Sequence, residues 1–315
     1  MRIKKRTMKY FKIFILLLAF AFCTSKYSSG QQLPFYTQYM FNEYLINPAI
    51  AGTNNYYQIR ANSRIQWVGM TDAPRTSSIS AYGPLKEKPM GVGGYIYTDD
   101  TGPTSRLSLT GTWAYNFNIN DDMRISGGIS LGFMQYKLDG TAIYIGDEVA
   151  DDPVFTGGVE TSYLPDASVG VYLYSTYYFV GLSSHQLLGN KLNLHETIDS
   201  VYGNKGINRL KQHFYLTGGA HFILNRNLLL QPSLLVKGMF PSQLQAELNV
   251  KLTYQRMVWG GISYRTGDAF SILVGYNYEN KILFGVSYDI TTSELRRYSS
   301  GTYEIFIGYK FNKIK

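Results

Sequence analysis

From Tyr57 to Trp67 apolar and polar side chains alternate: Tyr57, Ile59, Ala61, Ile65 and Trp67 take odd positions, and Gln58, Arg60, Asn62, Arg64 and Gln66 take even ones. Successive side chains of a strand point to opposite faces, whereas a helix repeats every three to four residues, so a period of two predicts a two-faced strand. The rule recurs where Leu107, Leu109, Trp113, Tyr115 and Phe117 oppose Ser108, Thr110, Thr112 and Asn116. It recurs again where Leu244, Ala246, Leu248, Val250, Leu252 and Tyr254 oppose Gln243, Gln245, Glu247, Asn249, Lys251 and Thr253. The last segment sets Tyr303, Ile305, Ile307, Tyr309 and Phe311 on one face.

Segments of this kind start near residues 56, 76, 90, 104, 123, 166, 178, 213, 228, 243, 257, 269, 282 and 302, about fourteen in all. Each is long enough for a transmembrane β-strand, which takes roughly nine to eleven residues. An even count suits a closed antiparallel barrel. Most of the connections sort by parity, Leu85–Lys88 being long for a periplasmic turn. After even-numbered strands come the short turns Ser175–Tyr177, Asn225–Asn227, Gln255–Arg256 and Glu279–Lys281, while the long stretches Asp139–Pro165 and Leu187–Gln212 follow odd ones. Outer-membrane barrels pair short periplasmic turns with long external loops in this way. A soluble β-sandwich is the competing architecture, but its exterior would then carry these apolar and aromatic rows. The expected fold class is therefore all-β: a transmembrane antiparallel barrel over 56–315, with no further domain boundary.

Residues 1–30 carry the layout of a secretory signal: a basic start, an apolar run from Ile13 to Phe22 too short to span a bilayer, and Ser28 and Gly30 as small residues before a cut at Gln31. Cys23 follows Phe22, where lipidation would want a small residue. Cleavage at Gln31 would leave no thiol, excluding disulfides and thiolate chemistry from the mature chain. The formal charge of +8 also belongs to this leader, which holds seven of the 30 basic side chains and no acidic one, leaving 23 basic against 22 acidic residues. Nucleic acid is thus not an expected partner, and outer-membrane lipid is.

If the apolar face meets lipid, the polar face lines the lumen, with Arg60, Arg64, Arg124, Lys237, Glu247, Lys251, Arg265, His213, His221 and Glu304 inside. Arg60, Arg64, Trp67, Tyr264 and Arg265 are the internal positions of first interest, with Glu247 and Glu304 as their acidic counterparts. A mixed-sign interior suits either a selective pore or charge pairing across the lumen. His213 and His221 are eight apart on one strand, roughly 27 Å by strand rise, too far to share a metal. No Gly-x-Ser-x-Gly elbow or His-x-x-x-His pair occurs, so no enzyme, metal or cofactor is expected. The acidic group Asp147, Glu148, Asp151 and Asp152 lacks EF-hand spacing and reads as a solvated loop. Residues 31–55 precede the first strand, and Tyr39, Met40 and Phe41 make them too apolar for a free tail. Asn47-Pro48 should end any helix there. A short plug against the barrel interior, or a periplasmic segment, accounts for this composition.

At this segment, Gln38-Tyr39-Met40-Phe41-Asn42 followed by Ile46-Asn47-Pro48-Ala49 and Ala51-Gly52 resembles the start of the PorP/SprF family of type IX secretion system membrane proteins. Arg64–Gly69, Asp166–Tyr172, Pro232–Lys237, Gly261–Ala269 and Gly301–Phe311 extend the likeness over the whole chain after the leader. The resemblance implies an outer-membrane barrel of Bacteroidota that serves type IX secretion. It also implies that the barrel holds the C-terminal domain of a large secreted surface adhesin for export or attachment, in some members for gliding motility. Other type IX components would meet the short turns and the Pro34–Gly52 segment. The alternative, a passive outer-membrane channel for small or apolar solutes, rests on the polar lumen and the plug-like segment.

Overall fold

The computed structural model describes residues 33–142, 158–192, 209–239 and 244–312. The signal-like residues 1–30 and the acidic group Asp147 to Asp152 lie outside them. Fourteen antiparallel strands form the wall: β1 (Tyr57–Ile65), β2 (Arg75–Pro84), β3 (Met90–Thr101), β4 (Thr104–Asn118), β5 (Met123–Asp139), β6 (Val159–Ser175) and β7 (Tyr178–His185). Then come β8 (His213–Ala220, resumed as Phe222–Ile223), β9 (Leu228–Met239), β10 (Gln245–Tyr254), β11 (Val258–Arg265), β12 (Ala269–Tyr278), β13 (Ile282–Thr291) and β14 (Thr302–Phe311). Each pairs with its sequence neighbours, and β14 returns to β1 from Tyr57↔Phe311 to Ile65↔Tyr303. The ring is closed, so no strand edge is left without a partner, as a lipid environment requires.

Two places depart from the alternation read above. β6 begins at Val159, well before residue 166, because its ladder with β5 continues past Pro165 to Asp139↔Val159. β8 breaks at His221, where Ala220 and His221 face Gln231 and Pro232 of β9. Proline brings no N–H to a ladder, and the His221 N–H turns to the Tyr177 carbonyl at 2.7 Å. The tight hairpins after β10 and β12 put Gln255–Arg256 and Glu279–Asn280 at positive φ, the paired left-handed geometry that matches the twist of adjoining strands.

Side-chain exposure divides the wall into two faces. Leu109, Leu131, Phe133, Ile272, Val274, Ile305 and Ile307 point outward and are exposed, while Ser126, Ser130, Asn249, Ser271 and Ser287 point inward and are buried. An apolar exterior over a polar interior places lipid outside. Leu131 sits midway along β5 and is 66% exposed. Leu131→Arg is expected to cost about 2–4 kcal/mol, the penalty for a cation facing the bilayer midplane, measured by urea unfolding in lipid vesicles.

The same alternation corrects two of the internal positions. Ser263 and Arg265 are buried within the barrel, so Tyr264 between them faces outward and is 40% exposed. Trp67 lies past the end of β1, at positive φ in the loop that leads to β2, with its N–H donating to the Thr302 Oγ1 at 3.1 Å. It reaches no lumenal wall position because the strand has already ended.

Candidate functional site

Inside the ring, most of residues 36–51 are buried and pack with wall residues in one cluster. Their backbone forms three single 3-10 turns, Tyr39–Phe41, Glu43–Leu45 and Pro48–Ile50. Asn47 both ends and begins structure: its Oδ1 accepts from the Ala49 N–H at 2.9 Å and Pro48 takes the first turn position, where its missing N–H costs nothing. The expected helix stop after Leu45 is therefore also a start. The segment is largely buried because the wall meets it on every side, covering its apolar side chains and giving its polar ones partners.

Those contacts run around the circumference. Tyr39 Oη shares a hydrogen bond with Ser233 of β9 at 3.2 Å. Asn42 Nδ2 donates to Asn62 of β1 at 3.1 Å, and Tyr44 Oη donates to Thr112 of β4 at 2.6 Å. Asn47 Nδ2 donates to the Val171 carbonyl of β6 at 3.1 Å. The Phe41 ring lies 4.3 Å from Trp259 of β11 and 5.5 Å from Phe306 of β14. Met40 is half-buried beside the same rings. Close backbone approach is bought with glycine: a β-carbon on Gly128 would lie 2.5 Å from Pro48 and Ala49, and one on Gly170 would lie 2.1 Å from the Asn47 side chain.

The polar heart of the site joins Thr37 to β1, β11, β13 and β14. Arg64 donates to Asp289 at 2.8 Å, Glu304 at 3.2 Å and Thr37 Oγ1 at 2.6 Å. Arg265 donates to Glu247 at 2.9 Å, Asp268 at 2.8 Å, Asp289 at 3.4 Å and Thr37 Oγ1 at 2.8 Å. Thr37 Oγ1 thus accepts from both guanidiniums and donates its own proton to Asp289 at 2.8 Å. Glu304 accepts the backbone N–H groups of Thr37 at 2.7 Å and Gln38 at 3.1 Å. All of these ionised groups except Asp268 are essentially excluded from solvent, so their mutual pairing is what makes burial tolerable. Lys237 joins from β9, with Nζ donating to the Leu33 carbonyl at 2.7 Å.

Of the internal positions read from the sequence, Arg64, Glu247, Arg265 and Glu304 come together in this network. Arg60 does not. It is buried lower on β1, where its Nε donates to Gln58 at 2.9 Å. Asp289 and Thr37 were not singled out. Asp289 could have been, since it occupies the inward parity of its strand, whereas Thr37 sits in irregular backbone with no periodicity to read. The histidines also serve packing: His185 Nε2 donates to the Ile46 carbonyl at 2.8 Å, leaving Nδ1 to accept from Ser168 at 3.2 Å. Among the described residues no group of three or more metal-ligating side chains occurs.

Below the network, on the short-turn side of residues 33–52, a cavity of about 270 Å³ is lined by Phe41, Glu43, Arg60, Tyr82, Tyr172 and His221, among others. Tyr172 Oη donates to Glu43 at 3.1 Å. Burial pushes the Glu43 carboxyl up to about 7, against the opposing pull of the Tyr172 hydrogen bond, Lys251 and Arg60.

The barrel is similar to the CymD monoaromatic hydrocarbon channel, with a TM-score of 0.50 at 12% identity over 90% of this chain and 94% of that one. A Pseudomonas aeruginosa FadL homologue gives 0.48 at 13% identity, over 90% and 96% of the two chains. The Pseudomonas putida toluene transporter TodX gives 0.48 at 10% identity, over 92% and 99%. No curated protein sequence matches the chain. The family model for type IX secretion system membrane proteins PorP/SprF matches residues 28–309, nearly the full length. The chain therefore belongs to the PorP/SprF family of type IX secretion system membrane proteins, as an outer-membrane β-barrel.

Proposed function

We propose that this barrel binds the C-terminal domain of a large secreted surface adhesin and holds it for export or surface attachment, in a machinery that can drive gliding motility, with residues 33–52 acting as a plug. The observation that carries this reading is the occupancy of the lumen. A segment tied to the wall by hydrogen bonds to buried charged side chains and by aromatic packing supports a lumen closed to solute flow. A plugged barrel works through the surfaces it presents. Chain length also favours recognition at one end: residues 140–158 and 186–212 connect β5 to β6 and β7 to β8 at the end away from the tight turns. Such recognition needs hydrogen bonds to loops or exposed edges and no covalent chemistry.

The test is capture of the tagged barrel from mild-detergent outer membranes, followed by mass spectrometry. A large secreted protein retained through its C-terminal domain, together with type IX components, is the expected result. A well-folded barrel that retains neither would sink the reading in favour of a passive channel for small or apolar solutes.

A further inference from the structure

The two ends of the lumen are charged differently, and the contrast points to a second site. In the Thr37 network two guanidiniums face four carboxylates. At the short-turn end the balance reverses. Arg60, Lys251 and Lys310 all take inward positions of their strands there, and among the described residues Glu43 is the carboxylate beside them. Among the described residues none of the three forms an ion pair within 4 Å. Arg60 donates to the side-chain carbonyl of Gln58 and faces the Tyr82 and Phe306 rings, Lys251 Nζ lies 4.4 Å from the Phe41 ring, and Lys310 Nζ reaches Asn280 at 3.4 Å and faces the Tyr56 ring. Arg124 adds a further cation at the mouth, opposite Tyr174 in the β5–β6 register. Cations withdrawn from water without a counter-charge are costly, and clustered in a low-dielectric cleft they attract an anion strongly.

The space for one exists. The 270 Å³ cavity takes in Arg60 and Glu43, and its lining includes the rings of Phe41, Tyr82, Tyr172, Tyr174 and Phe179. Its wall residues come from the ends of β2, β6 and β8 and the starts of β1 and β7, so it faces the short-turn end and not the lipid. We infer that this vestibule binds an acidic polypeptide segment entering from the short-turn end, with a carboxylate on Arg60, apolar side chains against the rings, and Lys251, which stands over the Phe41 ring beside the cavity, as a flanking cation. The mixture of cations with aromatic walls selects a peptide over a bare inorganic anion, since a small anion leaves the rings uncovered. This site is separate from adhesin capture at the long loops, and its failure would leave that reading intact.

The test titrates the purified full barrel in detergent with a short peptide alternating Asp and Phe, its Asn-for-Asp counterpart, and inorganic phosphate. Trp259, packed on Phe41 beneath Lys251, reports binding by fluorescence. The acidic peptide should bind and the Asn peptide should bind far more weakly. Arg60→Gln and Lys251→Gln should each weaken the acidic peptide roughly tenfold or more, the cost of losing one charge-assisted contact. Lys86→Gln, on an exposed turn at the same end, should change nothing. Heat-modifiable gel migration checks that each variant is folded, and Lys310→Gln replaces Arg60→Gln if the latter is not. Equal binding of both peptides, insensitivity to the cationic variants, or displacement by phosphate at comparable concentration would overturn the assignment.

Discussion

Arg265→Ala is expected to lower the barrel's stability by about 3–5 kcal/mol, because it removes one partner from a buried ion network and leaves the others unpaired. The loss would fall on Glu247, Asp268 and Asp289 together, and on Thr37, whose hydroxyl accepts from Arg265 at 2.8 Å. Arg265→Lys should recover only part of it. A lysine ammonium is a single point charge, whereas the guanidinium reaches Glu247 through Nε, two carboxylates through Nη1 and Thr37 through Nη2. The matched comparison is Arg297→Ala, whose pair with Glu294 is largely solvent-exposed at 3.8 Å and should be worth less than about 1 kcal/mol. Urea unfolding in detergent, followed by gel migration, measures all three. A loss at Arg265 no larger than that at Arg297 would mean that the network does not hold residues 33–52 in place.

Gly128→Leu should have the second large effect, on the seating of residues 47–52. The missing β-carbon lies 2.5 Å from the Pro48 and Ala49 backbone, so a leucine cannot be accommodated by a rotamer change. Forcing extra carbons into a packed interior costs about 1–3 kcal/mol when neighbours can shift. Here the obstruction is backbone, and on the opposite side stands the barrel wall, so residues 47–52 must leave their seat. The expected outcome is faster entry of small sugars into vesicles carrying the variant. Gly127→Ala is the control on the neighbouring residue, because nothing lies within 4 Å of its added β-carbon. If both variants leave the vesicles equally tight, the glycine bed is not what seats the segment.

Much of the barrel is legible in the alternation alone, because each strand must separate lipid from lumen residue by residue. That constraint fixes thirteen of the strand starts to within about two residues, a usual boundary error, and β6 escapes because Pro165 reads as an interruption although its ladder continues. It also places Arg64, Glu247, Arg265 and Glu304 inside by parity. The same rule, applied strictly, puts Tyr264 outside, and it is the even-odd count that the outward ring obeys. Parity does not say which internal charges meet. Glu247 and Arg265 are cross-strand partners in register, whereas Thr37 reaches the same cluster only because an irregular segment folds back into the ring. No local pattern encodes that return, and the apolar composition of residues 33–52 indicates burial without naming the surface that covers it.

Ion conductance of the wild-type barrel in planar bilayers is the most direct test of a lumen occupied by its own N-terminal segment. A folded wild-type protein is expected to be essentially silent, with steady conductance appearing on deletion of residues 33–52. Steady, porin-like conductance from the intact wild-type barrel would contradict it.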